Sequence, residues 1–468
     1  MSTIESTILQ PQDAALSLQH SKLFRQALLM NVLIIILVVG SQYSNLITLL
    51  GGLLLIFYLS GKALSSPAKT FFLIFGIKLT FDTLWFVRLP GFEDYGLLHL
   101  FLIPISILVF LGPKVERHGP RWPIWCAFIY LLWVSLTMVT NDVKFHPELL
   151  FRQSGIIIGL LVGYRYLRDT EDFNLLGYLI FVSTIIPVLA SLAQIVAGPD
   201  VAIFHYKLDT IREYRYSGLY YDPATTGMVN ILSLGSNLYL LYVGAVKERY
   251  RKYHYAFIPL SFLVILSGGT RSIIFTAAFI LTIFLIRNIR KTFVIIPLLL
   301  IVFFFSQSYI DKVVERSAYD VKRPVQLNQI LQETEYRTMF TGRVGLWQDI
   351  WEEVKSGTPF QQLFGSGLSS NAHSSYFFLL LQIGWLGLIF YVLFHIFLFR
   401  SLLYRKIPKT QKLLALLSLA SLLMVGFSAS TVAYTSFQWI IYLIVGGVLN
   451  MEMSPEISEV KMQNYKYS

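Results

Sequence analysis

The chain has 468 residues, of which 55% are hydrophobic and only 14% are charged. Soluble domains carry about 25% charged residues, so the composition argues against a soluble enzyme and predicts a polytopic helical membrane protein. The formal net charge of +11 falls mainly in short loops between apolar runs, and no basic helix predicts a nucleic-acid partner. The single cysteine, Cys126, excludes a disulfide framework and is expected to be a small buried residue.

Repeated apolar runs predict an all-α protein with about fourteen membrane spans. The runs cover residues 26–40, 45–60, 70–87, 97–112, 122–139, 150–167, 174–197, 228–246, 256–270, 272–286, 292–306, 374–399, 413–427 and 437–450. Residues 1–25 are polar and lack the plan of a cleavable signal, so we expect a cytoplasmic tail. Residues 451–468 are expected to form a second such tail.

The distribution of lysine and arginine predicts the orientation of the spans. Every second loop is basic, for example at 113–121, 247–252 and 287–291, and basic loops mark the cytoplasmic side. Both termini are then cytoplasmic. The outer side receives two long segments, 198–227 and 307–373. The predicted organisation is a bundle over 26–306, a large outer loop over 307–373 and C-terminal spans over 374–450.

The first outer segment carries cations ahead of a helix start. Arg212 and Arg215 precede Asp222-Pro223, and proline after aspartate favours the first turn of a helix with Asp222 as its cap. Helix N-termini attract anions, and arginine adds bidentate donors for phosphate. Arg215, which is nearer the turn, is the better candidate for an anion site. A solvated loop with scattered charges is the alternative.

A second arginine lies between two apolar runs joined only by Gly268-Gly269-Thr270-Arg271-Ser272. The linker is too short to leave the membrane far, so Arg271 is expected at or below the outer interface. An arginine there is costly unless it has a partner or extends to the headgroups, which makes it a functional candidate. Simple contact with lipid headgroups is the alternative.

The large outer loop contains a predicted amphipathic helix within 341–357, which Thr341 would cap and Gly357 would stop. Its apolar face consists of Leu346, Trp347, Ile350, Trp351 and Val354. Arg343 lies in the first turn, where a cation opposes the helix dipole and contributes little to stability. We therefore expect a role for Arg343 in a site, with a surface ion pair as the alternative.

His373 opens the next span, and Arg337 and Arg343 precede it on the same predicted side of the membrane. A lone histidine is often structural. A neutral imidazole can nevertheless accept a proton from a hydroxyl group near neutral pH, and neighbouring guanidinium groups would favour its neutral form. His373 is therefore the candidate general base.

Lys78 and Asp82 are four residues apart within one predicted span. Opposite charges at this spacing pair on a helix, which lowers their cost in lipid. The pair is either structural or part of a polar path through the bundle, as in a transporter. No nucleotide-binding loop, zinc-protease motif, serine-hydrolase elbow or acidic metal motif is present in the sequence,.

These motifs, taken in order, resemble the O-antigen ligase/polymerase superfamily. The order is an outer arginine before a proline turn, Thr270-Arg271-Ser272, the segment 342–347 (GRVGLW), a Gly-x-Gly segment and His373 with Tyr376 three residues later. The resemblance is specific over 340–390 and weaker over 212–230 and 266–275. His373 and Gly384 meet the family's His–Gly spacing. Ser374 stands where many members have asparagine.

The resemblance implies a membrane glycosyltransferase of GT-C-like fold in a bacterial inner membrane, acting at its outer face without metal or cofactor. Its donor would be an oligosaccharide on undecaprenyl pyrophosphate, and its acceptor another glycan. His373 would be the base, and Arg215, Arg271 and Arg343 would hold the pyrophosphate.

The favoured activity is the inverting polymerisation of repeat units into O-antigen, capsule or exopolysaccharide, with a chain-length regulator as a candidate partner. An O-antigen ligase or O-oligosaccharyltransferase is the first alternative. A transporter or flippase for lipid-linked sugars is the second.

Overall fold

The structure is a computed structural model that describes the greater part of the chain. The described residues are 18–41, 43–89, 92–112, 119–141, 152–197, 218–220, 222–268, 270–287, 295–297, 299–300, 343–368, 373–429, 431 and 434–451. Six helices in this part are long and apolar enough to cross a membrane: Ser21–Gly40, Asn45–Ser65, Trp122–Thr140, Thr170–Ala197, Ser375–Tyr404 and Lys409–Gly426. The protein is therefore a helical membrane protein. The total of fourteen spans stays a prediction.

The described helices follow the predicted apolar runs in chain order. They are α1 (Leu18–Gly40), α2 (Asn45–Ser65), α3 (Pro67–Phe81), α4 (Leu97–Leu100), α5 (Leu102–Leu111), α6 (Trp122–Thr140), α7 (Gly155–Tyr166), α8 (Thr170–Ala197), α9 (Pro223–Val243), α10 (Glu248–Gly268), α11 (Arg271–Arg287), α12 (Arg343–Ser356), α13 (Pro359–Phe364), α14 (Ser375–Tyr404), α15 (Lys409–Gly426) and α16 (Thr435–Asn450). Most of the run predicted at 292–306 lies outside the described residues.

Several boundaries differ from the predicted ones. Helix α1 begins at Leu18, eight residues before the predicted span, and α14 continues to Tyr404. Hydropathy marks the residues that tolerate lipid, whereas backbone hydrogen bonding continues a helix into polar sequence beyond the bilayer. The run predicted at 97–112 is divided into α4 and α5.

A small β-hairpin follows α3 and a single 3₁₀ turn at Asp82–Leu84. Strand β1 (Arg88–Leu89) pairs antiparallel with β2 (Phe92–Gly96), with an irregularity in the register. A two-residue strand has no alternating pattern to detect, so periodicity in the sequence does not predict this hairpin.

Burial separates central helices from peripheral ones. Every residue from Thr70 to Phe81 of α3 is buried, as is every residue from Phe437 to Asn450 of α16. By contrast, α1 and α5 expose large apolar side chains, with Leu29 69% and Phe110 81% accessible. Helices that are apolar on all sides belong in a core, and exposed apolar faces on the outer helices suit contact with lipid.

Helices α7 and α16 pack with their backbones in direct contact. Gly155, Gly159 and Gly163 recur every fourth residue of α7. A Cβ atom on Gly163 would lie 2.0 Å from the carbonyl oxygen of Leu443, and one on Gly446 would lie 2.4 Å from that of Leu160. Small residues at this spacing let membrane helices approach closely, and here they join α7 to the central helix α16.

Helix α14 is interrupted at Gly384, whose φ of 67° and ψ of −173° are not helical. The interruption frees carbonyl groups in the preceding turn. The amide of Ser366 donates to Leu381 O at 2.9 Å, and the amide of Gly367 donates to Gln382 O at 3.1 Å. The segment after α13 thus supplies the hydrogen bonds that the broken helix lacks, as a buried backbone requires.

Candidate functional site

His373 has an unusual backbone conformation directly before α14. Its φ is 46°, and among the residues that the structure describes it is the only non-glycine residue with positive φ. Ser374 follows in extended conformation as the N-cap residue of α14. A left-handed conformation in a residue with a side chain is sparsely populated and costs free energy, and such outliers cluster at functional sites.

A group of hydroxyl side chains connects the start of α14 with the start of α11. Ser375 Oγ donates to Ala429 O at 3.1 Å and lies 2.8 Å from Thr431 Oγ1. Ser428 Oγ is hydrogen-bonded to Ser272 Oγ in the first turn of α11. We call Ser272, Ser375, Ser428 and Thr431 the hydroxyl seam. Arg271 and His373 each stand within two residues of a seam member, so both lie at the same end of the bundle.

The start of α9 lies at this end too. The Asp222 carboxylate caps α9 as predicted, accepting from Ala224 N at 2.7 Å and Thr225 N at 3.0 Å through Oδ1. Its Oδ2 atom accepts from Thr225 Oγ1 at 2.7 Å. A Cβ on Gly227 would lie 2.8 Å from the Ile273 side chain. The first turns of α9 and α11 are therefore adjacent, and helix capping accounts for Asp222.

Helix α12 docks onto the first turns of α14 through aromatic side chains. Trp347 stacks on Phe377 with ring centroids 5.3 Å apart and planes 8° apart. One helical turn later, Trp351 meets Trp385 edge to face at 6.0 Å. The two helices therefore run in the same direction. Arg343 lies one turn before Trp347, which places its backbone towards the start of α14.

Four helices that begin near His373, namely α9, α11, α12 and α14, thus present their N-termini at one end, which we call the His373 end. Alternate helices of any bundle start at the same end, so helix dipoles alone do not identify a site. Helices α11 and α12 differ from the others because arginine is their first residue. A cation opposes the helix dipole there, whereas an anion would be stabilised by both.

The structure describes only part of the predicted cationic group. Arg271 is half-buried at the first position of α11. Arg343 opens α12, and the description of it is confined to the backbone. Arg212, Arg215 and Arg337 lie outside the described residues, so their place in the site stays a prediction. The predicted stop of α12 is observed, because the amide of Gly357 bonds to Glu353 O at 3.2 Å.

Lys78 and Asp82 pair within the bundle. Their side chains form an ion pair, and the residues are only 2% and 5% exposed. The Lys78 ammonium lies 5.0 Å from the Trp439 ring centroid. The hydroxyl of Tyr220, just ahead of the Asp222 cap, donates to Leu79 O at 2.9 Å. The pair therefore lies beneath the segment that leads into α9.

A buried chain of polar side chains crosses three helices near the pair. Tyr130 OH donates to Gln153 Oε1 at 2.5 Å, and Gln153 Nε2 donates to Gln382 Oε1 at 3.2 Å. Gln438 is fully buried, and neither of its amide atoms has a hydrogen-bond partner within the described residues. Buried amides of this kind are usual sites for ordered water.

Sequence reasoning missed both this polar chain and the hydroxyl seam. The signal that was available is the presence of uncharged polar residues inside or beside apolar runs. It is weak, because single serine and glutamine residues are common in membrane helices and only the tertiary contacts show which of them meet.

An aromatic groove opens beside the site between α12 and α14. It has a volume of about 980 Å³, and Trp347, Trp351, Tyr376, Phe377, Leu380 and Trp385 are among its lining residues. Neither a scan against protein-family models nor a search of curated proteins finds a match to this chain, so any proposal for its function depends on these residues and their geometry.

Proposed function

We propose that the protein is a glycosyltransferase that acts at the His373 end on a lipid-linked sugar donor and polymerises oligosaccharide repeat units. The observation that carries the proposal is the strained backbone of His373, next to the hydroxyl seam that joins it to the first turn of α11, where Arg271 lies. An imidazole and a guanidinium group at one end of a membrane bundle suit deprotonation of a hydroxyl beside an anionic phosphate.

The reaction that we propose is a single displacement. The acceptor hydroxyl oxygen forms a bond to the anomeric carbon while the bond from that carbon to the pyrophosphate oxygen breaks. The electron pair leaves on the pyrophosphate, and the hydroxyl proton passes to the His373 imidazole. Arg271, together with Arg215 and Arg343, would stabilise the charge that develops on the leaving group. Attack opposite the leaving group inverts the anomeric configuration.

The groove between α12 and α14 supports a donor with a long apolar chain. Its walls are mainly aromatic and aliphatic, and Trp385 at its side is 40% exposed. An apolar groove within a membrane-facing surface suits a lipid chain. The chain would lie along α14, which leaves the pyrophosphate near the starts of α12 and α14.

The decisive experiment replaces His373 with asparagine. Asparagine tolerates a left-handed backbone better than most residues and can still form hydrogen bonds, but its amide cannot act as a base. We expect His373→Asn to fold with wild-type stability, because the strained conformation is retained at no extra cost. General-base catalysis contributes about 10²–10⁴-fold, so glycan elongation from the purified lipid-linked donor should fall by that factor.

Two further measurements make the test specific. Arg249→Gln, at the opposite end of the bundle, is the matched control for Arg271→Gln and should leave elongation unchanged. The wild-type rate should also fall on acidification, because a protonated imidazole cannot accept a proton. Elongation at the wild-type rate by His373→Asn would remove the basis for assigning a base.

Products distinguish the alternatives that the resemblance leaves open. Loss of a polymerase leaves single repeat units on the final acceptor, whereas loss of a ligase strands long glycans on the carrier. Loss of a transporter leaves carrier-linked units on the side where they are made. The transporter alternative draws on the buried Lys78–Asp82 pair, and a variant that removes both charges tests it.

A further inference from the structure

A second cavity lies away from the His373 end. It has a volume of about 690 Å³ and is enclosed by α9, α11, α15 and α16. Its walls are mainly apolar, with Phe284, Leu417 and Ile441 among the lining residues. Arg287, Tyr242 and Thr410 lie together at one end of it. A largely apolar cavity of this size with a few polar groups at one end is typical of a ligand site.

The position of the cavity along the helices is that of one membrane leaflet. Its lining on α15 extends from Thr410 to Ser421, which corresponds to about 16 Å at the helical rise. The hydrocarbon core of a bilayer is about 30 Å thick, so the cavity spans roughly half of it. Near the His373 end the same two helices are joined by the Ser272–Ser428 hydrogen bond. The open end of the cavity is therefore the opposite one.

That opposite end carries positive charge, and we call it the basic end. Arg287 is the last residue of α11 and is exposed, and Lys409 is the exposed first residue of α15, next to Thr410. Basic pockets between membrane helices bind the headgroups of anionic lipids, and guanidinium groups match phosphate well. Gly235 widens the cavity further, because a Cβ atom there would meet nothing within 4 Å.

From the apolar walls, the one-leaflet length and the basic mouth, we propose that this cavity holds one acyl chain of an anionic glycerophospholipid, with its phosphate against Arg287 and Lys409. The site is independent of the glycosyltransferase proposal. A water-soluble metabolite would not match the apolar walls, and an isoprenoid carrier chain much longer than one leaflet would not fit the length. The bound lipid would complete the packing between α11 and α15.

The test counts the lipids that remain on the purified protein. We would delipidate the protein in detergent, add phosphatidylglycerol or phosphatidylcholine with identical acyl chains, and measure the bound lipids by native mass spectrometry. One basic residue near a membrane surface contributes about a fivefold preference for anionic lipid. Wild-type protein should bind one phosphatidylglycerol in preference to phosphatidylcholine, and Arg287→Gln should reduce that preference about fivefold.

A second variant tests the cavity itself. Gly235→Leu fills the space that the acyl chain would occupy, so the preferred lipid should be lost while the protein remains folded. Gly61→Leu is the matched control, because Gly61 also lies within a helix with nothing within 4 Å of its Cβ position, but it lies outside the cavity. Arg249→Gln controls for the loss of a charge at the same end.

Three outcomes would overturn the proposal. The first is retention of the preferred lipid by Gly235→Leu. The second is equal binding of the two phospholipids by the wild-type protein. The third is recovery of an isoprenoid phosphate from the cavity instead of a phospholipid.

Discussion

Gly384 provides the sharpest test of how the structure holds the His373 end together. We consider Gly384→Ala, which adds a single methyl group. The φ and ψ angles of Gly384 lie in a region that is almost confined to glycine, and forcing another residue there costs about 1–3 kcal/mol. The added methyl carbon would also lie 2.5 Å from Gly365 N and 2.5 Å from Leu363 C and O. These are backbone atoms, which cannot rotate away as a side chain would.

The segment around Gly365 must therefore move, and its hydrogen bonds to the broken helix are lost. The bonds are those from the amides of Ser366 and Gly367 to Leu381 O and Gln382 O. Each contributes about 0.5–1.5 kcal/mol net. Together with the backbone strain, the loss is about 2–6 kcal/mol. Folded proteins are stable by only about 5–15 kcal/mol, so the expected effect is a large share of the total.

Unfolding in mixed micelles followed by tryptophan fluorescence measures the loss. Four of the eight tryptophans lie around this joint, namely Trp133, Trp347, Trp351 and Trp385. Gly61→Ala is the control, since that site is open and alanine favours a helix by up to about 1 kcal/mol. If Gly384→Ala were as stable as Gly61→Ala, the inferred break in α14 would be wrong.

Two further predictions concern the buried pair and the helix cap. Lys78→Met alone should destabilise the protein by about 3–5 kcal/mol because it leaves a buried carboxylate unpaired; adding Asp82→Leu should recover most of the loss in a chemical-unfolding assay and leave elongation intact, whereas a transport path would need the charges. Asp222→Ala should cost about 0.5–2 kcal/mol through loss of the α9 cap, and Asp222→Asn should restore stability and activity together; an Asn variant that is stable but inactive would instead show that the carboxylate has a role in the site.

Local signals in the sequence predict part of this structure. The Asp222-Pro223 pair predicts the start of α9, and Gly357 predicts the end of α12, because a cap or a stop depends only on neighbouring residues. The positions of most helices follow from apolar runs for the same reason. Arg271 was expected to open a helix after a very short linker, and it does.

The meeting of distant segments could not be predicted in this way. The bonds between Ser272 and Ser428, and between Ser375 and Ala429, join residues that are 156 and 54 positions apart along the chain. Nothing local distinguishes these serines from others in membrane helices. The break at Gly384 was equally hidden, because glycine also occurs in straight membrane helices, and only the facing segment 365–367 shows why the helix is interrupted here.

The glycine contact between α7 and α16 has a consequence for how the molecule can change shape. Two backbones that touch with no side chain between them leave no slack, since sliding either helix would drive carbonyl oxygens into the opposite chain,. This pair forms a fixed wall. Any breathing of the bundle during a substrate cycle therefore has to occur across the far side, where α11 and α15 are separated by a cavity. Spin labels on those two helices would report the motion, and labels on α7 and α16 would stay at constant separation.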